Sequence, residues 1–150
     1  MSEPVKQRPA LPVLAVSHLG KTFSIGDRTI QALHDVNLSI NKGEFVCLIG
    51  ASGCGKSTLL RILAGFETAS SGSALMYGMP ITDPGPERGM VFQDFGLFPW
   101  LTVGENIAFG PHQRGLPKPR LAEIAGHYMN MVGLDKFADF YPAQLSGGMK

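Results

Sequence analysis

The feature that most constrains the fold lies at residues 45–65, where an apolar run leads through a glycine-rich loop into a periodic apolar segment. The run FVCLI, residues 45–49, is typical of a strand covered on both faces. After the loop, apolar residues recur at helical spacing, and Gly65 is typical of a helix C-terminus: Leu59, Leu60, Ile62 and Leu63. Strand, glycine loop and helix in this order predict an α/β domain with FVCLI as a central strand.

The loop itself has the spacing of a phosphate-binding P-loop, with Gly50, four residues, and then Gly55, Lys56 and Ser57. Glycines let backbone N–H groups converge on phosphate oxygens, and the helix N-terminus adds partial positive charge. Lys56 is predicted to reach the outer phosphates, and the Ser57 hydroxyl to bind Mg²⁺. The predicted contacts to a nucleoside triphosphate are Gly50, Ala51, Ser52, Gly53, Cys54, Gly55, Lys56, Ser57 and Thr58.

A P-loop indicates that the ligand is a nucleoside triphosphate but does not identify the function, because kinases, GTPases, helicases and motors all carry one. Composition narrows the choice: 44% hydrophobic and 17% charged residues indicate an ordinary folded protein. The formal charge of +1 gives no basic surface for nucleic acid. Two cysteines build no disulfide framework, the histidines lack ligand spacing, and the N-terminus lacks an apolar signal, so a cytosolic location is the default.

Shorter signals outline the rest of the chain. Residues 1–11 form a polar arm that is expected to be mobile. Strands are predicted at Val13–His18, Thr29–Leu33, Val36–Ile40, 73–78 and 90–93, the first three in a half-buried antiparallel region. Thr102 and Glu105 form a capping-box pattern at the start of a helix. A second helix is predicted to present one apolar face, made of Leu121, Ile124, Ala125, Tyr128, Met131 and Val132.

Two further motifs choose among the P-loop classes. LSGGM at residues 145–149, with VFQD at 91–94 between it and the P-loop, resembles the ATP-binding cassette of ABC transporters. The resemblance runs from about Val13 to the last residue, so residues 12–150 are interpreted as the N-terminal part of one such domain. It implies a P-loop α/β core, here incomplete, with an N-terminal antiparallel β-subdomain and the start of a helical subdomain. Within the family, the chain looks most like importers of the nitrate, sulfonate and taurine group.

The resemblance also assigns roles outside the P-loop. Phe23, which alone would be a strand aromatic, stands where the family stacks a ring on adenine. Gln93, which alone would be a surface amide, stands where the family senses Mg²⁺ and the attacking water. The signature residues that would contact ATP bound to a partner subunit are Leu145, Ser146, Gly147 and Gly148.

The same resemblance implies partners. Two cassettes dimerise head to tail, membrane-spanning permease subunits dock on the helical subdomain, and a solute-binding protein acts indirectly. The apolar patch at residues 95–103 is expected to be subdomain core, docking surface or both. The protein would then lie on the cytoplasmic face of the membrane.

An intact cassette continues well beyond the signature, so the chain is interpreted as truncated, with FVCLI expected to be exposed. It would belong to an ATPase family and yet bind ATP weakly, without turnover, when alone. A non-hydrolysing nucleotide-binding fragment is the alternative. Cys47 is expected in the core, and Cys54 is interpreted as a bystander in the loop. The sequence does not identify the transported solute.

Overall fold

The computed structural model describes residues 11–150, so the arm predicted for residues 1–11 lies outside the described part except for the exposed Leu11. Two compact units follow each other, the first ending at Met90 and the second spanning Val91–Lys150. None of the helices within residues 11–150 is long and apolar enough to cross a membrane. The elements are β1 (Leu14–Ile25), β2 (Arg28–Ile40), α1 (Lys56–Leu63), β3 (Ser71–Met76), β4 (Met79–Pro80), α2 (Val103–Gln113), α3 (Lys118–Met131) and 3₁₀ turns at Asp135–Phe137, Pro142–Gln144 and Gly147–Met149.

The first unit contains a four-stranded antiparallel sheet in the order β2-β1-β3-β4. Strands β1 and β2 form a long hairpin, whose register runs from Leu14 opposite Ile40 to Ile25 opposite Arg28. The antiparallel region predicted from alternation is therefore confirmed, although the predicted pieces are joined into two longer strands. Residues 73–78 were predicted as a strand, and β3 covers most of them.

Helix α1 packs on this sheet and closes the core of the unit. Leu59 and Ile62 lie one helical turn apart and are buried. They contribute to a cluster whose other buried members come from three strands: Val16, Leu19, Leu33 and Ala74. The helix that follows the glycine loop is therefore held by apolar contacts rather than by its own propensity.

Two strand predictions are wrong. Residues 45–49, all within the described part, form neither strand nor helix, and Phe45 and Ile49 are 91% and 94% exposed. Cys47 is exposed as well, which contradicts its predicted place in the core. Residues 90–93 also form no strand in this part of the chain. An apolar run indicates a demand for burial, but a strand also needs hydrogen-bonding neighbours, which these segments lack among the described residues. The exposure of 45–49 itself was expected.

The second unit is helical. The predicted capping box is present, since the Thr102 hydroxyl accepts from the Glu105 N–H and the Glu105 carboxylate accepts from the Thr102 N–H. Helix α3 buries Ala125 and Met129, whereas Tyr128, Met131 and Val132 are exposed. The predicted apolar face is thus partly wrong: Tyr128 and Met131 lie in the helix but outside the buried cluster, and Val132 follows the last helical residue. Val103, Ala125, Met129 and Leu145 form the buried cluster of this unit.

Candidate nucleotide-binding site

The glycine loop is shaped by backbone conformations that other residues rarely adopt. Gly53 and Gly55 have φ of 79° and 94°. A Cβ on Gly55 would lie 2.4 Å from the carbonyl oxygen of Ala32, so the loop end rests directly on β2. Gly55 is also the N-cap of α1, and its carbonyl accepts from the Leu59 N–H at 2.9 Å. The sheet and the helix together set where the loop ends.

Lys56 is the first residue of α1, and its side chain turns back onto the loop. Its ammonium group donates to the carbonyl oxygens of Gly50 at 2.8 Å and Ala51 at 2.6 Å. The Cys54 sulfur lies 3.4 Å from the same nitrogen. These contacts close the loop into a ring that carries a full positive charge beside the partial positive charge of a helix N-terminus. Such an arrangement suits an anionic ligand.

The remaining P-loop residues are mostly exposed. Ser57 and Thr58 lie in the first turn of α1, where backbone N–H groups have no partner earlier in the helix. Ser57 is exposed and Thr58 is half-buried. Gly50, Ala51, Ser52 and Cys54 are all exposed. The site therefore offers hydroxyl and N–H donors on the open side of the loop.

Phe23 lies on β1, where it is half-buried and paired with Ile30 of β2. The Lys21 ammonium lies over its ring, 4.8 Å from the centroid. That ammonium also forms an ion pair with Glu67 at 2.6 Å. The hydrogen bond from Lys21 lowers the pKa of the Glu67 carboxyl below its ordinary value of 4.5. Neither Lys21 nor Glu67 was predicted from the sequence, because a contact across 46 positions leaves no local pattern.

The other predicted residues belong to the second unit. Gln93 is exposed on an irregular segment. Leu145 is only 7% exposed and is packed in the apolar cluster of this unit. Ser146 is the extended N-cap of the 3₁₀ turn Gly147–Met149, and the exposed Gly147 and Gly148 follow it. Tyr141 and Gln144 support this segment, since the Gln144 side chain accepts from the Tyr141 N–H at 2.8 Å. The signature is thus anchored by one leucine and presents its serine and glycines to solvent.

The apolar patch at 95–103 divides into an inner and an outer part. Phe98 is half-buried and lies against Phe109, with ring centroids 4.3 Å apart. Trp100 is 70% exposed and 5.7 Å from Phe98. The Asn106 side-chain amide holds this loop. Its oxygen accepts from the Phe98 N–H, and its NH₂ group donates to the carbonyls of Phe98, Leu101 and Thr102. Phe98 is therefore packed inside the second unit and Trp100 is presented outward, whereas a docking role for the patch stays a prediction.

Comparison with known proteins gives consistent results. The family model described as ABC transporter matches residues 33–150. The chain is 46% identical over 91% of its length to a nitrate import ATP-binding protein of Synechocystis, and 49% identical over 91% to a bicarbonate transport ATP-binding protein of Synechococcus elongatus. An ABC transporter ATP-binding protein of Methanocaldococcus jannaschii is 45% identical over 97%. The chain spans 55% of that protein, 52% of the nitrate relative and 21% of the bicarbonate relative.

Solved structures show the same similarity. A dimeric ATP-binding cassette in a post-hydrolysis state with ADP and phosphate matches with a TM-score of 0.80 at 32% identity. The match covers 90% of this chain and 64% of that one. A second dimeric structure, of a bacterial ABC transporter cassette, matches with a TM-score of 0.81. The predicted α/β fold class of the P-loop cassette is confirmed, and the chain belongs to the ABC transporter family of ATP-binding cassettes.

Proposed function

We propose that this chain is the nucleotide-binding part of an ABC importer's ATP-binding subunit, which couples ATP binding and hydrolysis to uptake of a small anion. The observation that carries the proposal is the Lys56 ammonium, held at the N-terminus of α1 by the carbonyls of Gly50 and Ala51. The named functions of two relatives, nitrate import and bicarbonate transport, favour a small anion over larger solutes. Organic sulfur and nitrogen solutes remain within the proposed class.

The P-loop fits a triphosphate by its chemistry. The loop requires glycine at 50 and 55, because a Cβ there would lie 2.8 Å from the Cys54 sulfur and 2.4 Å from the Ala32 carbonyl oxygen. Lys56 supplies a charge that can exchange loop carbonyls for phosphate oxygens. The α1 N-terminus adds its N–H groups. Residues 50–58 therefore hold the phosphates in this proposal, and ATP itself supplies the phosphoanhydride bond whose hydrolysis drives transport.

Mg²⁺ and the water are assigned to two residues. Ser57 is exposed in the first turn of α1 and carries a hydroxyl, an oxygen ligand of the kind that Mg²⁺ would take. Gln93 is exposed and offers an amide oxygen of the same class. We propose that Ser57 binds Mg²⁺. For Gln93, a role in sensing the metal and orienting the attacking water is proposed from the family resemblance alone. Phe23 is proposed to stack on adenine, using the ring face opposite Lys21.

The signature is proposed to act in trans, on ATP bound to a second ATP-binding subunit in a head-to-tail homodimer. Ser146, Gly147 and Gly148 are exposed, while Leu145 fixes them to the second unit. Exposed N–H groups and a hydroxyl can be presented to a phosphate of another subunit. The dimeric form of both matched cassette structures supports this arrangement.

Permease subunits in the membrane are the second proposed partner, and this chain would dock on them at the cytoplasmic face of the membrane. A solute-binding protein would take part only indirectly, through the permease subunits. Trp100 supports this, because a largely exposed tryptophan is a common interface anchor. Trp100→Glu should weaken co-purification with the permease subunits while ATP affinity is retained. Met131→Glu changes another exposed apolar residue of the same unit and serves as the control. Equal loss in both variants would contradict a specific docking role.

A second candidate function, a non-hydrolysing nucleotide-binding module, is favoured by one sequence observation. No Asp-Glu pair follows an apolar run anywhere in the 150 residues, so the residues proposed here position phosphate without a carboxylate to polarise water. The test compares the 150-residue chain with an "extended chain", in which these residues are joined to the C-terminal remainder of the Synechocystis nitrate-import protein.

Phosphate release is measured for both proteins with ATP and Mg²⁺. We expect weak ATP binding and no turnover by the 150 residues, and turnover by the extended chain. Comparable rates would show that the catalytic base is already present. No binding by either protein would overturn the proposed function.

A further inference from the structure

Lys21 makes three contacts that no predicted role explains. Its side chain is 12% exposed, and its ammonium pairs with Glu67 at 2.6 Å and donates to the carbonyl of Thr68 at 2.7 Å. The same nitrogen lies 4.8 Å from the centroid of the Phe23 ring. A cation at this distance is attracted by the electron-rich ring face, more strongly where water is excluded. Lys21 therefore occupies one face of Phe23 and restricts its ring.

The Lys21 contacts also tie β1 to the segment that follows α1. Beside the ion pair, the Ser70 N–H donates to the Gly20 carbonyl at 2.8 Å, and the Thr22 N–H donates to the Ser70 hydroxyl oxygen at 3.0 Å. The segment 67–70 is thus attached to residues 20–22 by side chains and backbone. Since α1 begins at the P-loop with Lys56, its far end is connected through Glu67 to the ring of Phe23.

We propose that Lys21 is a positioning residue for the base of the bound nucleotide. Its ammonium holds the Phe23 ring from one face, leaving the other face for a purine, and its pairing with Glu67 fixes that ring relative to the helix that begins at the phosphate site. The proposal rests on the proposed function of Phe23. It predicts that Lys21 affects the binding of the base and not that of the phosphates.

The test measures equilibrium affinity for ATP and for inorganic tripolyphosphate, in the 150-residue chain and in the extended chain. Lys21→Met keeps the apolar stem and removes the charge. We expect it to weaken ATP binding about three- to tenfold, the range given by a partly desolvated cation–π contact, and to leave tripolyphosphate binding unchanged. Lys21→Arg retains charge and stacking and should restore most of the ATP affinity.

A double-mutant cycle with Phe23→Ala separates this inference from the proposed function. If Lys21 acts through the ring, adding Lys21→Met to Phe23→Ala should cause little further loss of ATP affinity. Equal loss for ATP and tripolyphosphate in Lys21→Met, or an additive loss in the double variant, would overturn the positioning role. If Phe23→Ala itself leaves ATP affinity unchanged, the adenine assignment fails first. If Lys21→Met does not fold, Lys21→Met/Glu67→Gln removes both charges together and is measured in its place.

Discussion

The P-loop and the signature are both glycine-rich turns at a helical start, yet the structure holds them in different ways. In the P-loop, Gly53 and Gly55 have left-handed φ, and α1 follows with Leu59 and Ile62 in the core. In the signature, the glycines are exposed, and the buried residue that holds them is Leu145, which precedes them. The first site has its shape built into backbone and core, whereas the second depends on the side chain before it.

The two turns would therefore bind an anion by different means: the P-loop by charge and helix dipole, the signature by hydrogen bonds. A helix of eight packed residues aligns peptide dipoles and orients its first N–H groups, and Lys56 adds a full charge. In the signature, the exposed Ser146, Gly147 and Gly148 directly follow the buried Leu145, so the packing of that leucine positions their hydrogen-bonding groups. The P-loop is therefore expected to bind nucleotide on its own, and the signature to contribute only within an assembled dimer.

The largest effect is expected when the positive charge of Lys56 is removed from the P-loop. Lys56→Ala should lower ATP affinity about a hundredfold or more, because at least two charge-assisted contacts of about 1.5–3 kcal/mol each are lost. The measurement is a titration with a fluorescent ATP analogue. Lys42→Ala, an equal change of charge at an exposed turn of the same unit, is the control. Undiminished affinity in Lys56→Ala would sink the phosphate-site assignment.

The next effect concerns the anchor of the signature. Leu145→Ala should lower the free energy of unfolding by about 2–4 kcal/mol, since it leaves a cavity in the cluster with Val103, Ala125 and Met129. Denaturant unfolding provides the measurement. Leu60→Ala truncates a leucine that is 48% exposed and should cost well under half as much. If the two variants are equally stable, Leu145 is not the anchor described above.

A smaller effect compares glycines of the two sites directly. Gly55→Ala should destabilise the first unit by about 1–3 kcal/mol, because its φ is left-handed and a Cβ would collide with the Ala32 carbonyl. A Cβ on Gly148 would meet no atom within 4 Å, so Gly148→Ala should leave the stability of the protein nearly unchanged. The stability of both variants is measured by thermal unfolding. A larger loss in Gly148→Ala would mean that the signature turn, and not the P-loop, has the demanding backbone.

Sequence patterns over a few neighbouring residues predicted the elements that are fixed by local hydrogen bonds and alternation. Alternation at Val36, Leu38 and Ile40 predicted β2, and the Thr102–Glu105 spacing predicted the start of α2. Segments that need distant partners were predicted less well. The apolar run at 45–49 indicated burial without showing which strands would provide it, and it is exposed among the described residues. Helix α3 ends one residue before Val132, which removed part of its predicted face.

In the candidate site, too, residues that are close in sequence were predicted, and residues brought together by the fold were not. The P-loop could be found from spacing alone, because consecutive residues of one loop and one helix form it. Lys21 and Glu67 could not, because the fold brings them together from β1 and from the segment after α1. Asn106, which organises the loop beside Trp100, was also missed, since an asparagine in the first turn of a helix has no sequence pattern that shows its bonds to the preceding loop.

The smallest expected effect is on pH dependence, and it belongs to the first unit. The hydrogen bond from Lys21 lowers the pKa of Glu67 below 4.5, so the unfolded chain binds the proton more readily than the folded one. The contribution of this pair to stability is therefore fully present above about pH 4.5 and is lost as pH falls through the lowered folded value. Glu67→Gln should make the decline of unfolding free energy between about pH 5 and pH 3 shallower. Asp35 should retain part of this pH dependence in Glu67→Gln, because hydrogen bonds from His18 and Asn37 lower its pKa as well.

The control is Glu123→Gln, which disrupts an exposed pair with Arg120 in the second unit and should change the slope little. Equal slopes in the wild-type chain and Glu67→Gln, measured by denaturant unfolding across this pH range, would show that the Lys21–Glu67 pair contributes to geometry but not to acid stability.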